Sequence, residues 1–179
     1  TVRTVSVNFY EGNKRASLAS PDDALLRSDS HKADDIQKIA VSNRRSSTFF
    51  DTHLGRGDEI ADFAYNYAGD GTTVRTVSVN FYEGNKRASL ASPDDALMRS
   101  DSHKTDDIQK IAVSNRRSST FFDTHLGRGD EIADFSYNYA GDGTTVRTVS
   151  VNFYEGNKRA AQSSPDDALM RADSHKTDD

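Results

Sequence analysis

Residues 58–83 read DEIADFAYNYAGDGTTVRTVSVNFYE, and their pattern decides how the chain is built. Ala61, Phe63, Tyr65 and Tyr67 alternate with Ile60, Asp62, Ala64 and Asn66, and Val77, Val79 and Phe81 alternate with Thr76, Ser78 and Asn80. A period of two is that of a strand, whose successive side chains point to opposite faces. Gly69-Asp70-Gly71 punctuates the two runs as a turn. Strands joined so closely pair antiparallel, because a parallel return needs a long crossover. Upstream, STFFDTHL (47–54) reads as a further strand, closed by Gly55-Arg56-Gly57. Downstream, Glu83-Gly84-Asn85 is another turn, and KRASLAS (86–92) reads as a short fourth strand.

Two segments carry helical signals. Ser92 suits a cap, Pro93 the first helical position, and Asp94 and Asp95 the positive end of the helix dipole. They predict a short helix over about 93–101, with Ala96, Leu97 and Met98 as its apolar content. A second is expected over 105–114, where Asp106-Asp107 precede Ile108 and Ile111, three apart on one face. KIAVS within it also reads as a strand. The expected fold class is α+β: a small antiparallel β-meander of three or four strands with one or two short helices.

The pattern recurs. TVRTVSVNFYEGNKRA begins at Thr1, Thr73 and Thr145, a period of 72 residues. The two full copies differ at three places, Leu26/Met98, Ala33/Thr105 and Ala64/Ser136. The last copy changes Ser89 to Ala161, Leu90 to Gln162, Ala91 to Ser163 and Ser100 to Ala172. The exchange of Leu90 for a glutamine suggests a position that faces water, or a last copy that ends differently. Counted from Ser46, the chain divides into a partial unit 1–45, a complete unit 46–117 and an incomplete unit 118–179. The period exceeds the roughly 20–50 residues of most solenoid repeats. Both ends fall inside a repeat, so a piece of a longer array is expected.

Composition narrows the function classes. Of 179 residues, 28 are acidic and 23 basic, a net charge of −5. That balance lacks the basic face that binding of nucleic acid requires. Apolar residues with glycine make up about 40%, below the roughly 45–50% of ordinary domains. The core is therefore expected to be thin and spread over several small units. Cysteine is absent, which removes disulfides, thiolate chemistry and cysteine-bound zinc. No apolar run is long enough for a transmembrane segment.

No catalytic, cofactor-binding or metal-binding residue emerges. The chain holds His31, His53, His103, His125 and His175. His31, in the polar run SDSHKADD, is expected on the solvated surface. Asp, Ser and His adjacent in sequence do not make a triad, which is a spatial arrangement of separated residues. Asn66 and Asp70 are too few acidic or amide ligands for a calcium loop, so GDG reads as a plain turn. Glycine-rich phosphate cradles of the GxxxxGK[ST] or GxGxxG type are missing.

Two motifs bear on partners. Arg56-Gly57-Asp58, repeated as Arg128-Gly129-Asp130, resembles the integrin-binding tripeptide and falls at a turn suited to display. Arg44 and Arg45 with Phe49 and Phe50, repeated as Arg116, Arg117, Phe121 and Phe122, have the composition of interface anchors. Repetition every 72 residues would give avidity toward a periodic partner.

The expected function is therefore a non-enzymatic tandem-repeat structural protein: a multivalent scaffold, stalk or adhesive array. Its partners would be proteins or neighbouring copies of the repeat, and an extracellular or cell-surface setting is preferred. The alternative is a linker polypeptide that orders on a large assembly and holds it together. A duplicated enzymatic or small-ligand-binding domain is disfavoured, because the motifs and pocket-lining residues such a domain needs are scarce.

Overall fold

A computed structural model describes residues 3–177; Thr1 and Val2 of the first unit, and Asp178 and Asp179 of the last, lie outside them. Ten strands follow one another: β1 (Val5–Tyr10), β2 (Leu25–His31), β3 (Arg44–Asp51), β4 (Ile60–Tyr67), β5 (Val74–Tyr82), β6 (Leu97–His103), β7 (Arg116–Asp123), β8 (Ile132–Tyr139), β9 (Val146–Tyr154) and β10 (Leu169–Lys176). They form one sheet whose spatial order is the chain order, each strand antiparallel to the next. Four strands thus recur with each sequence copy. The sheet runs without a break across residues 46 and 118, which lie inside β3 and β7.

Cross-strand register assigns the two faces contrasting side chains. One row runs Phe9, Arg27, Phe49, Phe63, Val79, and the matching row of the next copy runs Phe81, Arg99, Phe121, Phe135, Val151. The adjacent row on the same face is Val7, Asp29, Ser47, Tyr65, Val77. Four strands on, Val7 has led to Val77 rather than to its own counterpart Val79, so the rows climb two residues per copy. On the other face a row runs Asn8, Ser28, Thr48, Ala64, Ser78, Ser102, Ser118, Asn138, Thr148. One face is therefore tall and the other uniformly short and uncharged along this row.

This architecture explains how a thin core suffices. Among the described residues no second layer packs on the sheet; strands pack on their sheet neighbours, and only short turns fold back. Most domains bury their sheet beneath another layer. Here Phe, Tyr and Arg side chains cover the short ones between them. Val77 and Val79 are 0% exposed, Asp101 4% and Ser119 0%, while the phenylalanines of the tall rows stay half-exposed. The accessible surface is 10253 Å², against about 8,600 Å² for a compact protein of this mass. Apolar burial concentrates at one end, where the 3-10 turn Ala88–Leu90 packs on β3, β4 and β5. Ile60, Tyr82, Ala88 and Ala91 form its buried cluster, repeated as Ile132, Tyr154 and Ala160.

The meander is as expected, but the α+β class is corrected: among the described residues the only helical elements are three-residue 3-10 turns. The helix expected over 93–101 is instead a turn followed by β6. Asp95 accepts hydrogen bonds from the Ser92 backbone N–H and from Lys86 Nζ, and its own N–H donates to Ser92 O. That closes the chain at Asp95, and Arg99, Asp101 and His103 then alternate with Ser100 and Ser102 as a strand. The segment 105–114 becomes two 3-10 turns, Ile108–Lys110 and Val113–Asn115. Asn115 prevents a longer helix: its Oδ1 accepts from Ala112 N–H and its Nδ2 donates to Lys110 O. KRASLAS is not a strand: Lys86 bridges back to Tyr82, and Ala88–Leu90 is a 3-10 turn. No helix among the described residues is long and apolar enough to cross a membrane.

Candidate functional site

The polar chemistry of the tall face centres on Asp29 and its repeat Asp101. Strand alternation points each aspartate inward, and burial of a carboxylate requires partners. Ser47 Oγ donates to Asp29 Oδ1 at 2.6 Å, and Tyr67 OH donates to Ser47 Oγ at 3.2 Å. Arg27 Nε lies 3.0 Å from the same Asp29 Oδ1, outside hydrogen-bonding geometry, and Arg44 Nη1 stands 3.9 Å from Oδ2. The second copy repeats the set, with Ser119 to Asp101 at 2.6 Å and Tyr139 to Ser119 at 3.1 Å. The arginines are sandwiched against rings: Arg27 lies 4.2 Å from the Phe9 ring centre and Arg99 4.2 Å from that of Phe81. Such a network locks neighbouring strands in register.

The anticipated contact residues separate. Arg44 begins β3, whereas Phe49 and Phe50 lie near its far end, Phe49 about 17 Å from Arg44 along an extended strand. Arg44 is engaged internally: Nε and Nη2 donate to Gly71 O at 3.1 and 3.0 Å, and the guanidinium lies 4.1 Å from the Tyr67 ring centre. Arg116 does the same with Gly143 O and Tyr139. Phe49 stacks on Phe63 with ring centres 4.8 Å apart, as Phe121 does on Phe135. Arg45 and Arg117 remain exposed. Phe50 faces a groove of 260 Å³ between copies, lined also by Glu59, Ile60, Tyr82, Leu97 and Arg128.

Arg56, Gly57 and Asp58 are exposed at the β3–β4 connection, as are Arg128, Gly129 and Asp130 at β7–β8. Gly57 N–H donates to Glu59 Oε2, and Glu59 Oε1 accepts from Leu25 N–H, which ties the tip to the neighbouring strand connection. The two tips have different surroundings, because Arg128 borders the groove beside the preceding copy. In that groove Tyr82 is buried and its OH donates to Ala61 O at 2.5 Å. Burial pushes the Tyr82 hydroxyl pKa up to about 12.

The histidines fall into two classes, and the solvated reading of His31 is corrected. His31 is 7% and His103 6% exposed, because β2 and β6 turn them toward the tall face. His31 Nδ1 lies 3.1 Å from both Ala40 O and Asn43 Oδ1. Both partners are acceptors, so Nδ1 carries the proton and the ring buttresses the β2–β3 connection. His53 and His125 are exposed beside Asp51 and Asp123. At the β4–β5 turn, Asp70 takes donors from Thr72 and Thr73, so its oxygens serve the turn. No group of three or more His, Cys, Asp or Glu among the described residues is placed to hold a metal.

Asp29, His31 and their repeats escape a search for hydrophobic alternation, whereas Ser47 and Tyr67 fall in runs that read as strands but their bonding to one another and to Asp29 does not show in the sequence. The one available signal is the run Arg-Ser-Asp-Ser-His, which alternates large charged and small polar residues with a strand period. No family model, curated protein or solved structure matches the chain.

Proposed function

We propose that the protein is a non-enzymatic structural scaffold, an array in which copies of one repeat extend a single sheet and present the same surfaces at regular intervals. What supports the reading above all is the junction between copies. β4 pairs with β5 and β8 with β9 by the same antiparallel ladder that joins strands within a copy, so a further copy needs no new kind of contact. Each copy adds four strands, or about 19 Å across the sheet. The exposed tips at 56–58 and 128–130, and Arg45 and Arg117, would recur at that interval and act as a multivalent surface for a protein partner.

Solution scattering on chains of two, three and four copies tests this. The expected outcome is a maximum dimension that grows by about 19 Å per copy while the cross-section stays constant. Growth as the cube root of chain length, as for a compact globule, would sink the proposal.

The linker alternative draws on a separate observation. Leu18 and Leu90 are 75% and 73% exposed, and Val41 and Val113 58% and 55%, at turns of both copies. Repeated apolar tips suit a protein surface that covers them. If the chain is such a linker, its amide exchange is fast when isolated and slows throughout the sheet on its partner.

A further inference from the structure

In the copy at 73–144 the free charges sort to opposite ends of the strands. Arg75 near the start of β5, Lys104 just after β6 and Arg117 near the start of β7 lie at the end where the β4–β5 and β6–β7 connections turn. All three are exposed, and among the described residues no ion pair or side-chain hydrogen bond engages them. With Asn66, Tyr67 and Thr76 they line a groove of 450 Å³ that no carboxylate borders. The carboxylates of this end are already committed: Asp70 to its turn, Asp106 to Lys110 and Asp107 to Gln109 N–H. At the opposite end, Glu83 and Asp94 in the β5–β6 connection and Asp130 in the β7–β8 connection are exposed and equally unengaged. There Lys86 and Arg87 are committed to Asp95 and Asp62, which leaves Arg128 as the free cation of those connections. The first copy repeats both sets, with Arg3, Lys32 and Arg45 at one end and Glu11, Asp22 and Asp58 at the other.

We propose that the basic end is a docking surface for the acidic end of a second copy of this chain, so that arrays associate along the strand direction. This deepens the scaffold reading and rests on it. Like charges gathered around one groove repel each other until an anion enters. Carboxylates are what the opposite end presents, with Asp130 at the exposed Arg-Gly-Asp tip and Glu83 and Asp94 in the neighbouring connection. Pitch selects the partner: grooves and free carboxylates recur with the same four strands, about 19 Å apart. Docking at one copy therefore brings the next pair into register, and exposed ion pairs that are weak singly add through avidity. Val113 at the basic end and Leu90 at the acidic end, both exposed, are covered by the same contact. Each chain carries both ends, so the contact is head to tail and open, and it sets arrays side by side in a layer.

Sedimentation of the full chain tests this at about 0.01 M salt, where the Debye length is about 30 Å, and at about 1 M, where it is about 3 Å. The expected result is a mass that rises with protein concentration in low salt and returns to that of one chain in high salt. Two variants separate the ends. Arg45→Glu with Arg117→Glu reverses the basic end, and Asp58→Lys with Asp130→Lys reverses the acidic end. All four positions are exposed, and circular dichroism checks that both variants fold. Each variant alone should associate at least about tenfold more weakly, because like charges then meet. Mixed, they should associate again, since each keeps the end that the other lacks. In the unmodified chain, carbodiimide, which joins an amine to a carboxylate without a spacer, should link Lys32 or Lys104 to the acidic connections. Strands of seven to nine residues hold the two ends of one chain more than about 20 Å apart, so such a link forms only between chains. A single-chain mass at every concentration in low salt, association that both variants retain, or a mixture no more associated than its parts overturns the proposal. If the chain stays single while chains of more copies still lengthen by one step each, the docking proposal falls and the scaffold stands.

Discussion

At the scale of single residues, the narrowest tolerance is at Gly71 and its repeat Gly143. Gly71 has φ +67°, and a Cβ there would stand 1.7 Å from Val41 O, inside the connection that Arg44 ties to Gly71 O. Gly57 also has positive φ, at +93°, but a Cβ there would meet nothing within 4 Å. Gly57→Ala should therefore cost only the left-handed backbone penalty, about 1 kcal/mol. Gly71→Ala adds a clash with backbone and should cost more than about 2 kcal/mol in urea unfolding. Two residues that look alike in sequence are separated by what approaches them. Asp70 yields a prediction in pH. The Thr73 hydroxyl and the Thr72 and Thr73 N–H groups hold its carboxyl at about 2, below the ordinary 3.8. The unfolded chain takes up this proton near 3.8 and the folded chain near 2, so the contribution is full above 3.8 and is lost as pH falls through 2. Asp142 is held low by the same donors from Thr144 and Thr145. A carboxyl NMR titration should place the Asp70 midpoint near 2, and Asp70→Asn should flatten the acid limb of stability in that window. A midpoint at the ordinary value would mean that the turn does not hold the carboxylate.

At the scale of elements, the junction between copies rests on the turn at 88–90. Ala88 is 0% and Ala91 2% exposed, packed on Ile60 at 2% and Tyr82 at 6%, whereas Leu90 at the tip is 73% exposed. Ile60→Ala should cost about 2–4 kcal/mol through transfer and cavity terms. Leu90→Gln, the exchange already present at Gln162, should stay within about 0.5 kcal/mol. Equal losses at the two positions in thermal unfolding would show that the turn does not dock. The water-facing reading of Leu90 came from one substitution between copies, and the strands at 60–67 and 74–82 came from apolar alternation. β6 was hidden for a physical reason. Its inward residues are Arg99, Asp101 and His103, which meet a ring, a serine hydroxyl and an asparagine amide on neighbouring elements. Hydrophobic periodicity cannot register a face whose buried groups are polar. Ser92-Pro93-Asp94-Asp95 misled for a related reason, since a turn closed by an aspartate and a helix start use the same residues. Pairing between Ser119 and Asp101 is invisible until the register of β6 and β7 is known.

At the scale of the whole molecule, a sheet without a covering layer has no central core to make ten strands open together. Each strand is held by its two neighbours and by the side chains standing over it, so stability should resemble a one-dimensional sum of nearest-neighbour terms. Exposure along the chain already follows this. Val79 in β5 is 0% exposed, while Val151, the same residue of the next copy in β9, is only half-buried. The two strands have the same sequence from Val74 to Tyr82 and from Val146 to Tyr154. What differs is position: among the described residues β5 has several strands on either side, whereas β10 alone lies beyond β9. Native-state amide exchange should therefore be fastest in β10, slower in β9 and slowest in β5 and β6. Identical sequence makes the comparison of β5 with β9 free of intrinsic rate differences, so any gap between them measures neighbours alone. Equal protection of β5 and β9 would require the ten strands to unfold as one unit, which this single layer gives no physical reason to expect.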